Sequence, residues 1–198
     1  MKPCNSSFVW VRWASALAAV GAVASFAPSA AALPLVGISG SARALYGIGV
    51  GDSQTVSVNA PNEGQVSTDW NPYTWGVGLR GGVTLAVLYL GASFDYFFSE
   101  TTQLEGFEVS GGRYQLMGNL GFELPLPVLT LRPLLGLGYA HTQIDASPGL
   151  DSTKHEFVVA PAVEALVSLG LIDVSAELRY NFANTDSVVV GLGAGVSF

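Results

Sequence analysis

From Ser187 to Phe198 the chain alternates by twos. Val188, Val190, Leu192, Ala194, Val196 and Phe198 fall on one side; Val189, Gly191, Gly193, Gly195 and Ser197 fall on the other. This is the period of a β-strand with one apolar face and one small or polar face. A chain that closes on such a strand, with an aromatic last residue, needs a partner for it, and in a closed barrel that partner is the first strand. Seven earlier segments carry the same alternation, at about 37–50, 73–83, 87–98, 113–124, 129–142, 156–168 and 172–182. In the second of these, Tyr73, Trp75, Val77 and Leu79 share the apolar row. The pattern predicts an all-β fold, an eight-stranded up-and-down antiparallel barrel. Its connections alternate in length: 51–72, 99–112, 143–155 and 183–187 on one side, and short turns near 84–86, 125–128 and 169–171 on the other. Short turns at one end and longer loops at the other are the layout of an outer-membrane barrel. Both termini then fall on the periplasmic side.

Composition narrows the class. Apolar types make up 49% of the chain and charged types 12%, where a soluble domain carries about 25% charged residues. No apolar run reaches the length of a membrane helix, because Gly, Ser, Arg or Glu interrupts every candidate. Apolar side chains are therefore spread thinly over many strands. Residues 1–32 read as a secretory signal peptide: Lys2 and Arg12 precede or flank an apolar run too short to span a bilayer, and Ala30-Ala31-Ala32 offers small residues for cleavage. The expected division is a signal peptide over 1–32 and a barrel over 33–198. The single cysteine, Cys4, lies in the leader, so the exported chain would have no disulfide and no thiolate metal site.

Soluble and membrane barrels invert each other's pattern, and the charged residues choose between them. Arg43, Arg80, Arg113, Arg132 and Arg179 all fall on the small and polar face of their strands, with Asp95, Glu123, Glu156, Glu164, Asp173 and Glu177. The apolar rows hold no ionisable residue apart from His141 at the upper end of the fifth strand. A water-facing surface would use lysine freely, yet beyond the leader the only lysine is Lys154. Arginine matched with carboxylates suits an enclosed interior, where the guanidinium fork satisfies both oxygens of a partner. The polar face is therefore assigned to the lumen and the apolar face to lipid. Tyr73, Trp75, Tyr96, Phe98, Tyr114, Tyr139, Phe157, Tyr180 and Phe182 lie near the loop-side ends of the apolar rows, where an aromatic girdle meets lipid headgroups.

Three stretches carry a family resemblance. Leu131-Arg132-Pro133-Leu134-Leu135-Gly136-Leu137-Gly138-Tyr139, Glu177-Leu178-Arg179-Tyr180 and Val196-Ser197-Phe198 resemble strands of the small outer-membrane β-barrels typified by the OmpA membrane domain. The resemblance implies a Gram-negative outer-membrane location, lipid and lipopolysaccharide around the wall, and Phe198 as the signal read by the barrel-assembly machinery. With nothing following Phe198, a peptidoglycan-anchoring role is not expected.

The eleven luminal charges are expected to pair in layers and plug the lumen. Arg80, Arg132, Glu123 and Asp173 would lie near the periplasmic end, Arg43, Glu164 and Glu177 in the middle, and Arg113, Arg179, Asp95 and Glu156 toward the outside. Arg179 and Glu177 are taken as a direct pair. The alternative is a narrow channel or small-ligand barrel. A lipid-modifying enzyme is a second alternative, and it would need a histidine beside a serine and a carboxylate. Only His141 and His155 lie beyond the leader, and Asp145 and Ser147 are merely near in sequence. No enzymatic activity, cofactor or metal is expected.

The loops hold Asp52, Glu63, Asp69, Glu100, Glu105, Glu108, Asp145, Asp151 and Asp186 against Lys154. Such a rim would attract divalent cations or basic partners and repel anions. A nucleic-acid partner is excluded for a chain with net charge −7. The function this predicts is structural, or a surface interaction through loops 51–72 and 99–112 with a partner the sequence does not identify. Asn59-Ala60-Pro61-Asn62-Glu63-Gly64 has the composition of a mobile loop.

Overall fold

A computed structural model describes residues 36–50, 54–60, 64–70, 73–98, 102–104, 107–147 and 150–198. The chain divides into two units, Met1–Ala32 and Leu33–Phe198, and every described residue belongs to the second. The proposed signal peptide lies outside the described residues.

Eight strands build the barrel: β1 (Val36–Gly49), β2 (Trp75–Leu85), β3 (Leu88–Phe98), β4 (Phe107–Phe122), β5 (Thr130–Ser147), β6 (Leu150–Leu169), β7 (Ile172–Asn181) and β8 (Ser187–Ser197). Each pairs antiparallel with its sequence neighbour, and β1 pairs with β8 in a register running from Ser39 opposite Ser197 to Gly49 opposite Ser187. Every strand of the eight thus has two partners, which removes the exposed edge of an open sheet. Phe198 completes the seam: its N–H donates to Ile38 O and its carbonyl accepts from Ile38 N, both at 2.9 Å. β1 begins, and Phe198 lies, at the short-turn end of the barrel. Turns Ala86-Val87 and Gly170-Leu171 close two of the hairpins there, each with its first residue in the left-handed region.

The parity of the sequence is the parity of the wall. Along β7, Ile172, Val174, Ala176 and Leu178 are exposed while Asp173, Ser175, Glu177 and Arg179 are buried. Trp75, Leu116, Phe157, Leu178 and Leu192 stand out among large apolar side chains exposed on the exterior. Near the loop-side end Tyr46 packs on Trp75 and Tyr96 on Phe98, and Tyr180 on Phe182, with ring centroids 4.9, 5.1 and 4.5 Å apart.

Three features differ from the sequence expectation. Tyr73 is buried in the interior, not part of the outer girdle. A bend at Thr74 precedes β2, so the alternation of β2 does not run back to Tyr73, whose ring packs on Gly47. Second, the connection after β1 contains a hairpin, Gln54–Ala60 paired with Gly64–Trp70, so Asn59, Ala60 and Gly64 of the expected mobile stretch are strand residues, while 61–63 lie outside the described residues. Third, β4, β5 and β6 run past the predicted ends, with Glu108 in register with Ser147 and Ala146 with Leu150, and a short strand Thr102–Leu104 pairs back onto β4. Beyond the apolar belt no lipid sorts the two faces, so backbone pairing continues where alternation has faded.

Candidate functional site: the luminal charge network

The interior side chains come from the inward parity of all eight strands and the β4–β5 connection. Arg43, Arg80, Asp95, Arg113, Arg132, Glu156, Glu164, Asp173, Glu177 and Arg179 are buried, and Glu123 is half-buried at the short-turn mouth. Arg132 Nη1 donates to Glu164 Oε2 at 2.8 Å, and Arg132 also pairs with Glu123, its Nε lying 3.1 Å from Oε1. Arg80 Nη1 lies 3.2 Å from Glu164 Oε2, and Arg80 Nη2 pairs with Glu177 Oε2. Arg43 joins Glu177 Oε2 at 2.8 Å and Asp95 Oδ1 at 2.5 Å. Arg179 Nη1 reaches Asp95 Oδ2 at 2.7 Å and Glu177 Oε1 at 3.5 Å.

The result is one connected path of ion pairs, Glu123–Arg132–Glu164–Arg80–Glu177–Arg43–Asp95–Arg179, with four guanidiniums against four carboxylates. A second group stands apart toward the loop end: Arg113 pairs with Glu156 and donates to Thr142 Oγ1 at 3.0 Å, while Glu156 Oε2 accepts the Asn184 N–H at 2.9 Å. Each group is charge-neutral, which is what a low-dielectric interior requires of buried ions.

The pairs do not sort into the expected layers: Arg132 reaches Glu164 and Arg43 reaches Asp95 across them. Arg80 reaches up to Glu164 and Glu177 in the middle layer and does not pair with the acids below it. Asp173 stays out of the ion pairs: its Oδ1 accepts the Ser168 hydroxyl at 2.6 Å at the short-turn mouth. The sixth carboxylate, unmatched in a count of five arginines, is therefore the one that lines the space at the short-turn opening.

Apolar and aromatic side chains cap the charges, which alternation alone did not bring out. Leu45, Tyr73, Phe97 and Val189 form one buried cluster, and Met117, Ala140, Val158 and Ala160 another. Tyr89, Leu134 and Ala162 form a third. The Arg113 guanidinium sits 4.5 Å from the centroid of Tyr73 and that of Arg132 4.1 Å from the centroid of Tyr89, cation–π geometry that holds the two ends of the network. The overlooked signal was inward parity itself: Leu45, Met117 and Leu134 alternate in step with the arginines of their strands, and Val158 with Glu156.

Glycines make room for this packing. A methyl group on Gly78 would overlap the Asp95 carboxylate and lie 3.2 Å from Leu45 Cδ1 and 3.3 Å from Arg43 Nη2. Gly78→Ala is expected to push Asp95 out from between Arg43 and Arg179, lowering stability by at least the roughly 1–3 kcal/mol of an overpacked core. Thermal unfolding in detergent checks this, and an unchanged midpoint would refute it.

Two small spaces lie among the inward-facing side chains. From the short-turn end a mouth of about 180 Å³ is lined by residues including Thr84, Glu123, Arg132, Ser168 and Asp173. Farther in, the space between Arg80, Tyr89, Arg132 and Glu164 is about 20 Å³, room for about one water.

The fold is shared with solved outer-membrane barrels. Ail, the attachment invasion locus protein of Yersinia pestis, in complex with the heparin analogue sucrose octasulfate, superposes with a TM-score of 0.59 at 16% identity, covering 83% of this chain and 100% of Ail. Neisserial surface protein A gives 0.58 at 11% identity over 85% of this chain and all of that one. A major outer membrane protein of Thermus thermophilus gives 0.55 at 12% identity, over 81% and 99%. No protein-family model and no curated protein sequence matches the chain. The architecture is that of the small eight-stranded outer-membrane β-barrels.

Proposed function

We propose that this protein is an integral outer-membrane barrel whose lumen is plugged and whose role is structural or one of surface interaction. The observation that carries the reading is the unbroken path of ion pairs from Glu123 to Arg179, closed over by Arg113 with Glu156. Conduction would require parting several buried guanidinium–carboxylate contacts at once. In planar bilayers the purified protein is expected to give no sustained open conductance, and a steady open level would overturn the plug.

The exterior supports the membrane location. Side chains such as Trp75 and Leu192 are 66% and 64% exposed, a cost in water and a gain against acyl chains. A non-enzymatic role is supported by the likeness to Ail and Neisserial surface protein A, and the two histidines, candidates for a catalytic base, bond to each other.

For the partner, charge is the guide. Nine acids outside the lumen stand against Lys154, so the loop side favours cationic partners. Ail is solved with a polysulfated ligand; this chain is expected not to bind sucrose octasulfate, and to bind a lysine-rich peptide with an affinity that falls as salt is raised. Octasulfate binding, or salt-independent peptide binding, would refute the acidic-rim reading.

A further inference from the structure

On the outer wall, His141 of β5 and His155 of β6 are direct cross-strand partners. Their Nδ1 atoms lie 2.9 Å apart. His155 is exposed and His141 half-buried. Each ring is braced by a tyrosine: Tyr114 stacks on His141 with centroids 4.6 Å apart, and Tyr139 on His155 at 5.4 Å. Tyr114 is itself the register partner of His141 on β4. Two imidazoles are thus held side by side, their planes 53° apart, by three hydrogen-bonded strands and two aromatic walls.

Only one proton fits between the two Nδ1 atoms, so one ring donates and the other offers its lone pair. A cation that prefers nitrogen can take that proton's place, with the donor ring carrying its hydrogen on Nε2 instead. The spacing also bears on geometry. Two nitrogens each about 2.0 Å from a metal are about 2.8–2.9 Å apart at a right angle and about 3.3 Å apart at a tetrahedral angle. The observed separation is that of an N–H···N hydrogen bond and is nearer the right-angle spacing than the tetrahedral one, so a small ring shift would seat a metal between the two nitrogens. Among the described residues no group of three or more His, Cys, Asp or Glu converges, so water would complete the coordination. Gln143 and Thr153, opposite each other in the next outward-facing row, add neutral oxygens nearby.

We propose that His141 and His155 form an open, two-imidazole site on the outer rim for a tetragonal divalent transition metal, with Cu²⁺ preferred over Zn²⁺. The preference follows from the imidazole ligands and from the general order of affinities, in which Cu²⁺ exceeds its neighbours.

The test uses the full protein, purified without a polyhistidine tag and titrated with copper(II) sulfate in detergent. One Cu²⁺ per chain is expected, with an electron paramagnetic resonance spectrum showing two coupled nitrogens. Binding should raise the unfolding temperature. His141→Gln and His155→Gln should each lower the copper affinity by at least about tenfold, since even supporting residues of metal sites cost 10–100-fold, and should abolish the two-nitrogen pattern. Each variant differs from the wild type at one histidine alone, so every other copper ligand is held constant. Undiminished affinity in both variants would overturn the site. So would a wild-type spectrum with one nitrogen or none, a readout that needs no variant to fold. Zinc binding as tight as copper would overturn the tetragonal geometry.

Discussion

Glu177→Ala is expected to be among the most damaging single substitutions in the lumen, lowering stability by about 3–5 kcal/mol, the range for stranding a buried charge. Glu177 is the hub of the network: its carboxylate touches Arg43 at 2.8 Å, pairs with Arg80, and lies 3.5 Å from Arg179. Alanine would leave three guanidiniums around a void with Asp95 and Glu164 as the remaining counter-charges. Glu177→Gln keeps the volume and one acceptor oxygen, so a smaller loss is expected from it. The measurement is the temperature at which the folded form, resolved by its gel mobility, is lost; an alanine variant with the wild-type midpoint would refute the hub.

A double-mutant comparison tests the wiring. Arg179 lies 2.7 Å from Asp95 but 3.5 Å from Glu177. Coupling between Arg179→Ala and Asp95→Ala should therefore exceed that between Arg179→Ala and Glu177→Ala, within the roughly 0.5–3 kcal/mol seen for residues in contact. Equal couplings, or additive losses, would contradict the geometry.

Leu192→Arg is the second large effect expected, and it tests orientation instead of pairing. Leu192 is exposed on β8 between Ala44 of β1 and Ala176 of β7. If that face meets acyl chains, an arginine there should cost about 2–4 kcal/mol near the bilayer midplane. The one-residue neighbour Gly193 faces the interior, where a methyl would meet Ser175 Oγ and Arg43 Cγ. Folding titrations into lipid vesicles read the difference. Leu192→Arg folding as well as wild type would place this face against water and invert the barrel.

How the fold was legible is clear from particular strands. In β7, the run Ile172–Asn181 alternates without a break, and its predicted span 172–182 differs from the observed one by a single residue. In β4, prediction began at 113 and the strand begins at Phe107. The difference is physical: alternation records two solvents, lipid and lumen, and above the apolar belt both faces of a strand meet water. Tyr73 shows the same limit, since a bend at Thr74 breaks the parity on which its placement rested.

Sequence alone determined which residues face in and which face out, because a side-chain period of two cannot be shifted without turning every arginine into lipid. It also determined that arginines and carboxylates share one parity, five against six; that the paired groups are neutral and Asp173 is the acid left over was decided by the fold. Which guanidinium meets which carboxylate was decided by the tertiary structure. Strand tilt and register set the height of each residue in the lumen, and an arginine's long side chain spans more than one layer, so Arg80 left its sequence-assigned partners for Glu164 and Glu177. The same register set His141 opposite His155, a juxtaposition that residues fourteen apart in the chain do not announce.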